Sequence, residues 1–153
     1  MKFTATEDIS SPIDRVWQRL ADLEAFEAKV RPHVEDIRRR PPGPAGRGTT
    51  WEAEARVMGK SRQVEVRVTE MEPPRRLAAR ATVEGIEVAV DIVLSVSTPH
   101  MTRMTVTTEA VAKGIAGRLL LAAAGAAKDR LGGRYAKQVS GLAKRIGKDP
   151  DVK

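Results

Sequence analysis

Few side chains of this chain are suited to acid–base or nucleophilic chemistry. The sequence contains two histidines, His33 and His100, and no cysteine, which excludes thiolate nucleophiles and disulfides. Because the two histidines are far apart, we expect no zinc site. HExxH, Gly-x-Ser-x-Gly, phosphate-binding-loop and dinucleotide-binding motifs are also missing from the sequence. We therefore assign no catalytic residue and predict neither a metal nor a cofactor.

Two polar side chains are candidates for contacting a ligand. His33 lies at the predicted start of a strand, where it would either donate a proton to a ligand or be a partly exposed strand residue. Tyr135 lies on the apolar stripe of the last predicted helix, so its hydroxyl needs a partner in the core or on a ligand. His100 follows Pro99 in a predicted turn, where we expect no catalytic role.

The first thirty residues predict one strand and two short helices. Residues 1–9 alternate between apolar and polar side chains, as in a half-buried strand. Ser11 before Pro12 predicts a helix that has the serine as its cap. Asp22 is expected to cap a second short helix, which ends before Pro32.

Alternating segments follow, and they predict a sheet covered by one helix. The first segment, His33–Arg39, precedes the loop RPPGPAGRG, and each later segment has one apolar face. Short turns such as Glu84–Gly85 leave no room for parallel crossovers, so neighbouring strands are predicted to be antiparallel. A single terminal helix, predicted over residues 115–146, is the only element long enough to cover the apolar side of the sheet.

The segment LLLAAAGAA, residues 119–127, is apolar on every side of the predicted helix. Its small side chains either let helix and sheet approach closely or leave space for a ligand, and inward-facing alanines on the strands favour the second interpretation. An empty cavity of about 300 Å³ would cost about 7 kcal/mol, which is comparable to the ~5–15 kcal/mol stability of a domain. Such a cavity would therefore hold ligand or water. Gly132–Gly133 predicts close packing, a break between helices, or a hinge.

The alternation also assigns the residues that would line this cavity. They are the inward positions of the strands and one face of the terminal helix. The predicted lining residues are Trp51, Ala53, Ala55, Val66, Val68, Ala79, Ala81, Val88, Val90, Ile92, Met104, Val106, Thr108, Leu120, Ala124 and Ala127.

Two segments carry a resemblance to a known family. ISSPIDRVWQRLADLEAFEAKV, residues 9–30, resembles the opening of the START-like superfamily, also called SRPBCC or polyketide cyclase/dehydrase. GRGTTWEAEARVMGKSRQVEVRVTEMEPPRRL, residues 46–77, is similar to the centre of that family. The resemblance implies an α+β helix-grip fold, in which a curved antiparallel sheet of about seven strands wraps round a long C-terminal helix, with two short helices after the first strand. It also implies a single domain over residues 1–147, a short polar tail over residues 148–153, and a cavity for a lipid, sterol or polyketide.

Three functions fit these expectations. The first is a noncatalytic carrier or sensor that binds a hydrophobic small molecule. The second is a polyketide cyclase/dehydrase in which His33, Tyr135 or Thr108 guides the reaction. The third is an interaction module that docks a basic surface on an acidic partner or, weakly, on an anionic membrane, because the net charge is +7.

Composition also bears on other partners and on location. The five aromatic residues are too scattered to favour a specific nucleic-acid partner, and a homodimer stays an open alternative. Residues 1–11 contain no apolar signal core, and the apolar run at residues 119–127 is shorter than the roughly 20 residues that span a bilayer. Because cysteine is also absent, we expect a cytoplasmic protein.

Overall fold

The computed structural model of the chain describes residues 1–148 and has the predicted α+β architecture. Apart from Lys148, the polar tail predicted at residues 148–153 lies outside the described residues. The elements in chain order are β1 (Lys2–Ile9), α1 (Ile13–Leu20), α2 (Leu23–Val30), a 3-10 turn (Arg31–His33), β2 (Glu35–Arg40), β3 (Thr50–Val57), β4 (Lys60–Glu72), β5 (Arg76–Val83), β6 (Ile86–Thr98), β7 (Met101–Ala112), α3 (Ile115–Gly125) and α4 (Lys128–Gly147).

The seven strands form one antiparallel sheet in the order β1-β7-β6-β5-β4-β3-β2. This arrangement confirms the predicted seven-stranded sheet, and α1 and α2 are the two short helices expected after the first strand. Strands β2 to β7 follow one another as a meander, while β1 pairs with β7 across the length of the chain. The sheet edges are therefore β1 and β2.

Two of the hairpins close through two-residue turns with positive φ angles. Glu84 and Gly85 have φ values of 38° and 79°, and Met58 and Gly59 have values of 52° and 78°. Positive φ at both central residues is typical of the type I′ turn, whose twist matches that of the flanking strands. The turn predicted at Glu84–Gly85 is confirmed.

The two predicted helix caps have different outcomes. Asp22 accepts a hydrogen bond from the backbone N–H of Ala25 at 3.1 Å, which confirms it as the cap of α2. The prediction for Ser11 is wrong, because Pro12 takes the cap position of α1 and no side-chain cap bond forms. Ser11 is buried instead, and its carbonyl oxygen accepts a 2.7 Å hydrogen bond from the hydroxyl of Thr102.

The buried core lies where α1 and the C-terminal half of α4 meet β1, β6 and β7. Met104 and Val16 are fully buried there. Apolar side chains of both helices therefore cover this half of the sheet. The core cluster comprises Ile9, Val16, Trp17, Leu20, Leu23, Val68, Leu77, Leu94, Met104, Val106, Val139, Ala143 and Ile146.

The single terminal helix predicted over residues 115–146 is instead two helices. Helix α3 ends at Gly125 with Ala126 as its C-cap, and α4 begins at Lys128. Helix α3 packs on β6 and β7, whereas most contacts of α4 are with β1, and Tyr135 of α4 also bonds to β7. Between the two helices, Ala127 leaves helical geometry, with a φ of −112° and a ψ of 23°. Gly132–Gly133, where a break was one alternative, lies inside α4.

The first turn of α3 touches the β5–β6 turn at backbone distance. A Cβ atom added to Gly117 would lie 2.0 Å from the carbonyl oxygen of Gly85. Only glycine at position 117 permits this contact, which orients α3 on the end of the sheet.

Candidate ligand cavity

A cavity of about 250 Å³ lies between α2 and the half of the sheet formed by β2 to β5. Thirteen of its fourteen lining side chains are apolar, and the exception is Glu27. The lining residues are Leu23, Phe26, Glu27, Val30, Val34, Ile37, Trp51, Ala53, Ala55, Val64, Val66, Val68, Leu77 and Ala79.

Alternation along the strands positions the floor of this cavity. Val64, Val66 and Val68 point inward from β4, and the inward side chains of β3 and β5 lie beside them in the sheet. Ala53 pairs with Val64 and Ala79 pairs with Val68, so an alanine lies beside a valine on each flank. These alanines leave the volume that a leucine or valine would fill.

One face of α2 forms the roof of the cavity. Leu23, Phe26 and Val30 are spaced at i, i+3 and i+7, so they lie on the same side of the helix. Leu23 is also a member of the core cluster, whereas Val30 is 44% exposed. The cavity thus runs from the core to the protein surface, and Val30 marks its mouth.

Among the described residues, Glu27 is the only charged group on the cavity wall, and it connects three elements. Its Oε1 accepts a 2.7 Å hydrogen bond from Nε1–H of Trp51 on β3. Its Oε2 accepts a 3.0 Å hydrogen bond from Arg31, and Nε of Arg39 on β2 lies 3.6 Å from Oε1. The side chain of Glu27 is only 13% exposed. The carboxylate therefore fixes the indole of Trp51 at the cavity wall.

A second carboxylate on α2 holds the loop between β2 and β3. Oε1 of Glu24 accepts a 2.8 Å hydrogen bond from the backbone N–H of Ala45 and lies 3.5 Å from Nη1 of Arg39. The hydrogen bond from Ala45, with a smaller contribution from the charge of Arg39, lowers the pKa of Glu24 below its ordinary value of 4.5. The loop is therefore tied to α2 next to the cavity.

Neighbouring carboxylates partly neutralise several arginines of β2 and β5. Arg39 faces Glu24 and Glu27, and Arg40 forms an ion pair with Glu52. Arg76 bonds to Asp91 at 2.9 Å, and this hydrogen bond raises the pKa of the arginine. These arginines therefore do not form a continuous free cationic patch.

A second, larger depression of about 920 Å³ lies between α1, α2 and the end of α4. It is more polar than the cavity under α2, and Nη1 of Arg19 donates a 2.6 Å hydrogen bond to the carbonyl of Ile146 at its wall. The cationic side chains that line it are Arg15, Arg19, Lys29, Arg145 and Lys148.

Six of the sixteen predicted lining residues lie on the wall of the 250 Å³ cavity. They are Trp51, Ala53, Ala55, Val66, Val68 and Ala79. Met104 and Val106 are in the core cluster, and Val90 and Ile92 pack against it. Ala81 and Val88 lie further along β5 and β6, and Leu120 and Ala124 lie on α3, with Ala127 in the turn that follows. Among the described residues, none from α3 or α4 lines this cavity.

The two predicted polar contacts lie away from the cavity wall. The hydroxyl of Tyr135 donates a 2.9 Å hydrogen bond to the carbonyl of Val106 and accepts one from Thr108 at 3.1 Å. Its ring lies 5.4 Å from that of Phe3, so Tyr135 joins α4 to β1 and β7. His33 is exposed in the 3-10 turn before β2 rather than in a strand, because Pro32 favours a helical turn.

Eight lining residues were not predicted from the sequence. Val64 and Leu77 have the same alternation as their predicted neighbours, so that signal was available. The i, i+3, i+7 spacing of Leu23, Phe26 and Val30 also indicated an inward face. Glu27, Val34 and Ile37 had no comparable signal, because their position depends on how α2 and β2 lie over the sheet.

No metal site or membrane span is found in the part of the chain that the structure describes. Within residues 1–148, no three His, Asp or Glu side chains are grouped to hold a metal ion. Over the same residues, every helix is too short or too polar to cross a bilayer.

The sequence of residues 1–147 matches the family described as polyketide cyclase / dehydrase and lipid transport. This chain belongs to that family. Membership supports binding of a hydrophobic small molecule or cyclase chemistry at the level of the family. A search of curated proteins found no significant relative.

Solved structures share the fold at low sequence identity. The ZhuI aromatase/cyclase from Streptomyces sp. R1128 has a TM-score of 0.66 at 19% identity, over 97% of this chain and 96% of that one. Ara h 8.0201 has a TM-score of 0.63 at 15% identity, over 96% and 95%. The protein TTHA0849 from Thermus thermophilus has a TM-score of 0.63 at 19% identity, over 95% and 97%. These similarities confirm the helix-grip fold.

Proposed function

We propose that this protein binds a small hydrophobic molecule in the cavity under α2 and acts as a carrier or sensor. The observation that carries the proposal is the chemical uniformity of the wall, where thirteen of fourteen side chains are apolar. Apolar walls with very few polar groups are typical of sites for hydrophobic ligands. Membership in a family of cyclases and lipid-transport proteins supports the same conclusion.

The hydration of the cavity also favours a ligand. Water enters the cavity at its mouth beside Val30, where it meets an almost wholly apolar wall. Ordered water needs two to four polar partners, and the wall offers only the carboxylate of Glu27, whose oxygens already accept hydrogen bonds. An apolar ligand makes more van der Waals contacts with this wall than water does.

The volume limits the size of the ligand. At about 250 Å³, the cavity is smaller than the ~300–1,000 Å³ typical of sites for drug-sized molecules. We therefore favour a compact ligand, such as a small aromatic polyketide or a short acyl chain, over a sterol. A longer ligand would project past Val30 into solvent.

The cyclase alternative requires an acid or base that faces the ligand. His33 and Tyr135 lie away from the wall, which leaves Glu27 as the only titratable side chain among the described lining residues. Its two oxygens are used by Trp51 and Arg31. This arrangement favours a structural role for Glu27 and a binding function for the cavity.

The first test is native mass spectrometry of the freshly purified protein, followed by solvent extraction and identification of any released compound. In parallel, the neutral fluorophore N-phenyl-1-naphthylamine is titrated into the protein and into Ala79→Phe, which fills the cavity floor. Ala89→Phe is the matched control, because residue 89 points to the opposite face of the sheet.

We expect wild type and Ala89→Phe to bind the fluorophore and Ala79→Phe to lose binding by about tenfold or more, since the added ring occupies the same volume. Should Ala79→Phe fail to fold, Ala55→Leu makes a smaller change at the same wall. Equal binding by all folded variants would contradict the proposal, as would turnover of a polyketide that Glu27→Gln abolishes.

A further inference from the structure

We propose that α3 docks on the surface of an anionic lipid bilayer. Ile115 and Leu119 are 77% and 69% exposed, the two highest values among the large apolar residues that are exposed in residues 1–148. Ala122 is also exposed and lies on the same side, since the three residues are spaced at i, i+4 and i+7. We call these three residues the outer face of α3. This inference is independent of the proposed ligand cavity.

The contact between Gly117 and Gly85 determines which side of α3 faces outward. Gly117 is buried at backbone distance from the β5–β6 turn, so its side of the helix is inward. Leu120 and Ala124 lie next to that side and are partly buried. Because the inner side is fixed on the sheet, the outer face cannot rotate into the core.

Cationic side chains surround the outer face. Lys113 precedes α3, Arg118 lies on its first turn, and Lys128 and Arg130 follow it, and all four are exposed. Residues 110–130 contain these four cations and one acidic side chain, Asp129, which lies between Lys128 and Arg130. Within residues 1–148, none of the four cations is in an ion pair, in contrast to Arg39, Arg40 and Arg76 elsewhere.

This combination fits an anionic bilayer better than a second copy of the chain. A membrane surface offers apolar acyl chains for Ile115 and Leu119 and phosphates for the cations. In a symmetric dimer through this face, the four cations would approach their own copies, with Asp129 as the one acidic side chain among them. With 11 residues, α3 is also too short to span a bilayer, so it would lie along the interface.

Vesicle flotation of the whole protein tests the proposal. Vesicles of phosphatidylcholine alone are compared with vesicles that also contain phosphatidylglycerol. We expect wild type to float with the anionic vesicles, and added NaCl to reduce the bound fraction, because salt screens the attraction. Leu119→Glu should lower the vesicle partition coefficient by about tenfold or more, since it removes apolar contact and adds repulsion.

Val96→Glu is the matched control. Residue 96 is 61% exposed on β6, and its substitution makes the same change in net charge outside α3. It should retain most of the vesicle binding. Equal loss in Leu119→Glu and Val96→Glu, or no binding by wild type, would overturn the proposal.

Two further measurements separate the alternatives. Light scattering of the protein without lipid should show a monomer, and a dimer that Leu119→Glu dissociates would mean that a second copy covers α3. Ala79→Phe, which fills the ligand cavity, should bind vesicles as wild type does, so failure of the cavity proposal and failure of this one are distinguishable. Because the chain has no cysteine, Leu119→Cys and Val96→Cys can each be labelled with one polarity-sensitive dye. Only the emission of the dye at position 119 should shift to the blue on anionic vesicles.

Discussion

Replacing Gly117 with alanine is expected to separate α3 from the end of the sheet. The new Cβ would lie 2.0 Å from the carbonyl oxygen of Gly85 and 2.6 Å from its carbonyl carbon. Both are backbone atoms, so no side chain can rotate away, and relief requires a shift of about 1 Å or more in α3 or in the turn. The turn is itself held, because the same oxygen accepts a hydrogen bond from the N–H of Lys113.

Two opposing contributions set the magnitude of this effect. Alanine gains up to ~1 kcal/mol over glycine inside a helix, whereas forced overpacking costs about 1–3 kcal/mol, so we expect a net loss of up to about 2 kcal/mol in the free energy of unfolding. The matched control is Gly133→Ala in α4, where no atom lies within 4 Å of the added Cβ. That variant should gain about 0.5–1 kcal/mol.

Urea denaturation of both variants measures these free energies, and hydrogen exchange reports the opening of α3 directly. We expect faster amide exchange across α3 in Gly117→Ala and unchanged exchange there in Gly133→Ala. A Gly117→Ala protein as stable as wild type, with α3 equally protected from exchange, would refute the reasoning.

Two carboxylates on α2 give further predictions. Glu27→Ala leaves Nε1–H of Trp51 without its acceptor, so it should lower the free energy of unfolding by about 1–3 kcal/mol and shift tryptophan emission to the red. Glu27→Gln keeps an acceptor oxygen and should cost less. Equal losses of stability in the two variants would argue against this hydrogen bond. The pKa of Glu24 is lowered in the folded protein, so the ionised carboxylate stabilises the fold fully above pH 4.5. This stabilisation is lost as the pH falls through the folded pKa. An NMR titration of the Ala45 amide should therefore have its midpoint below 4.5, and a midpoint at or above that value would contradict the proposed link between loop and helix.

Alternation in the sequence was sufficient to predict the sheet. Inward and outward positions follow directly from a period of two residues, and the turn at Glu84–Gly85 carries its own signal in a glycine. Asp22 likewise indicates the start of α2 through its own side chain. These features depend on a few adjacent residues, so they are visible without the fold.

The cavity depends on contacts between distant residues, and the sequence predicted it only in part. Alternation identifies which strand residues face inward, but it does not say which helix covers which strands. The predicted cover was the terminal helix, whereas α2 forms the roof of the cavity. The role of Glu27 is likewise not visible in the sequence, since it requires Trp51, 24 positions away, to stand opposite it.

The sequence contains two glycine positions at which the predicted terminal helix could break. Gly125 and the pair Gly132–Gly133 both lower helix propensity, and propensity alone does not rank them. A Cβ on Gly132 would make an ordinary contact of 3.4 Å with the ring of Phe3, and a Cβ on Gly133 would have no neighbouring atom within 4 Å. Helix α4 continues through both glycines, and the break lies after Gly125.

The pairing of β1 with β7 has a consequence for the order in which the protein folds during synthesis. Lys2 pairs with Glu109, and the amino group of Met1 bonds to the carbonyl of Ala110 at a separation of 109 positions. The residues of β1 therefore leave the ribosome long before their partner strand exists. The meander from β2 to β7 contains local pairings that can form as they emerge, but β1 has no neighbour until β7 has been translated. Until then its apolar side chains, including Phe3 and Ile9, are without the native neighbours that β7 provides.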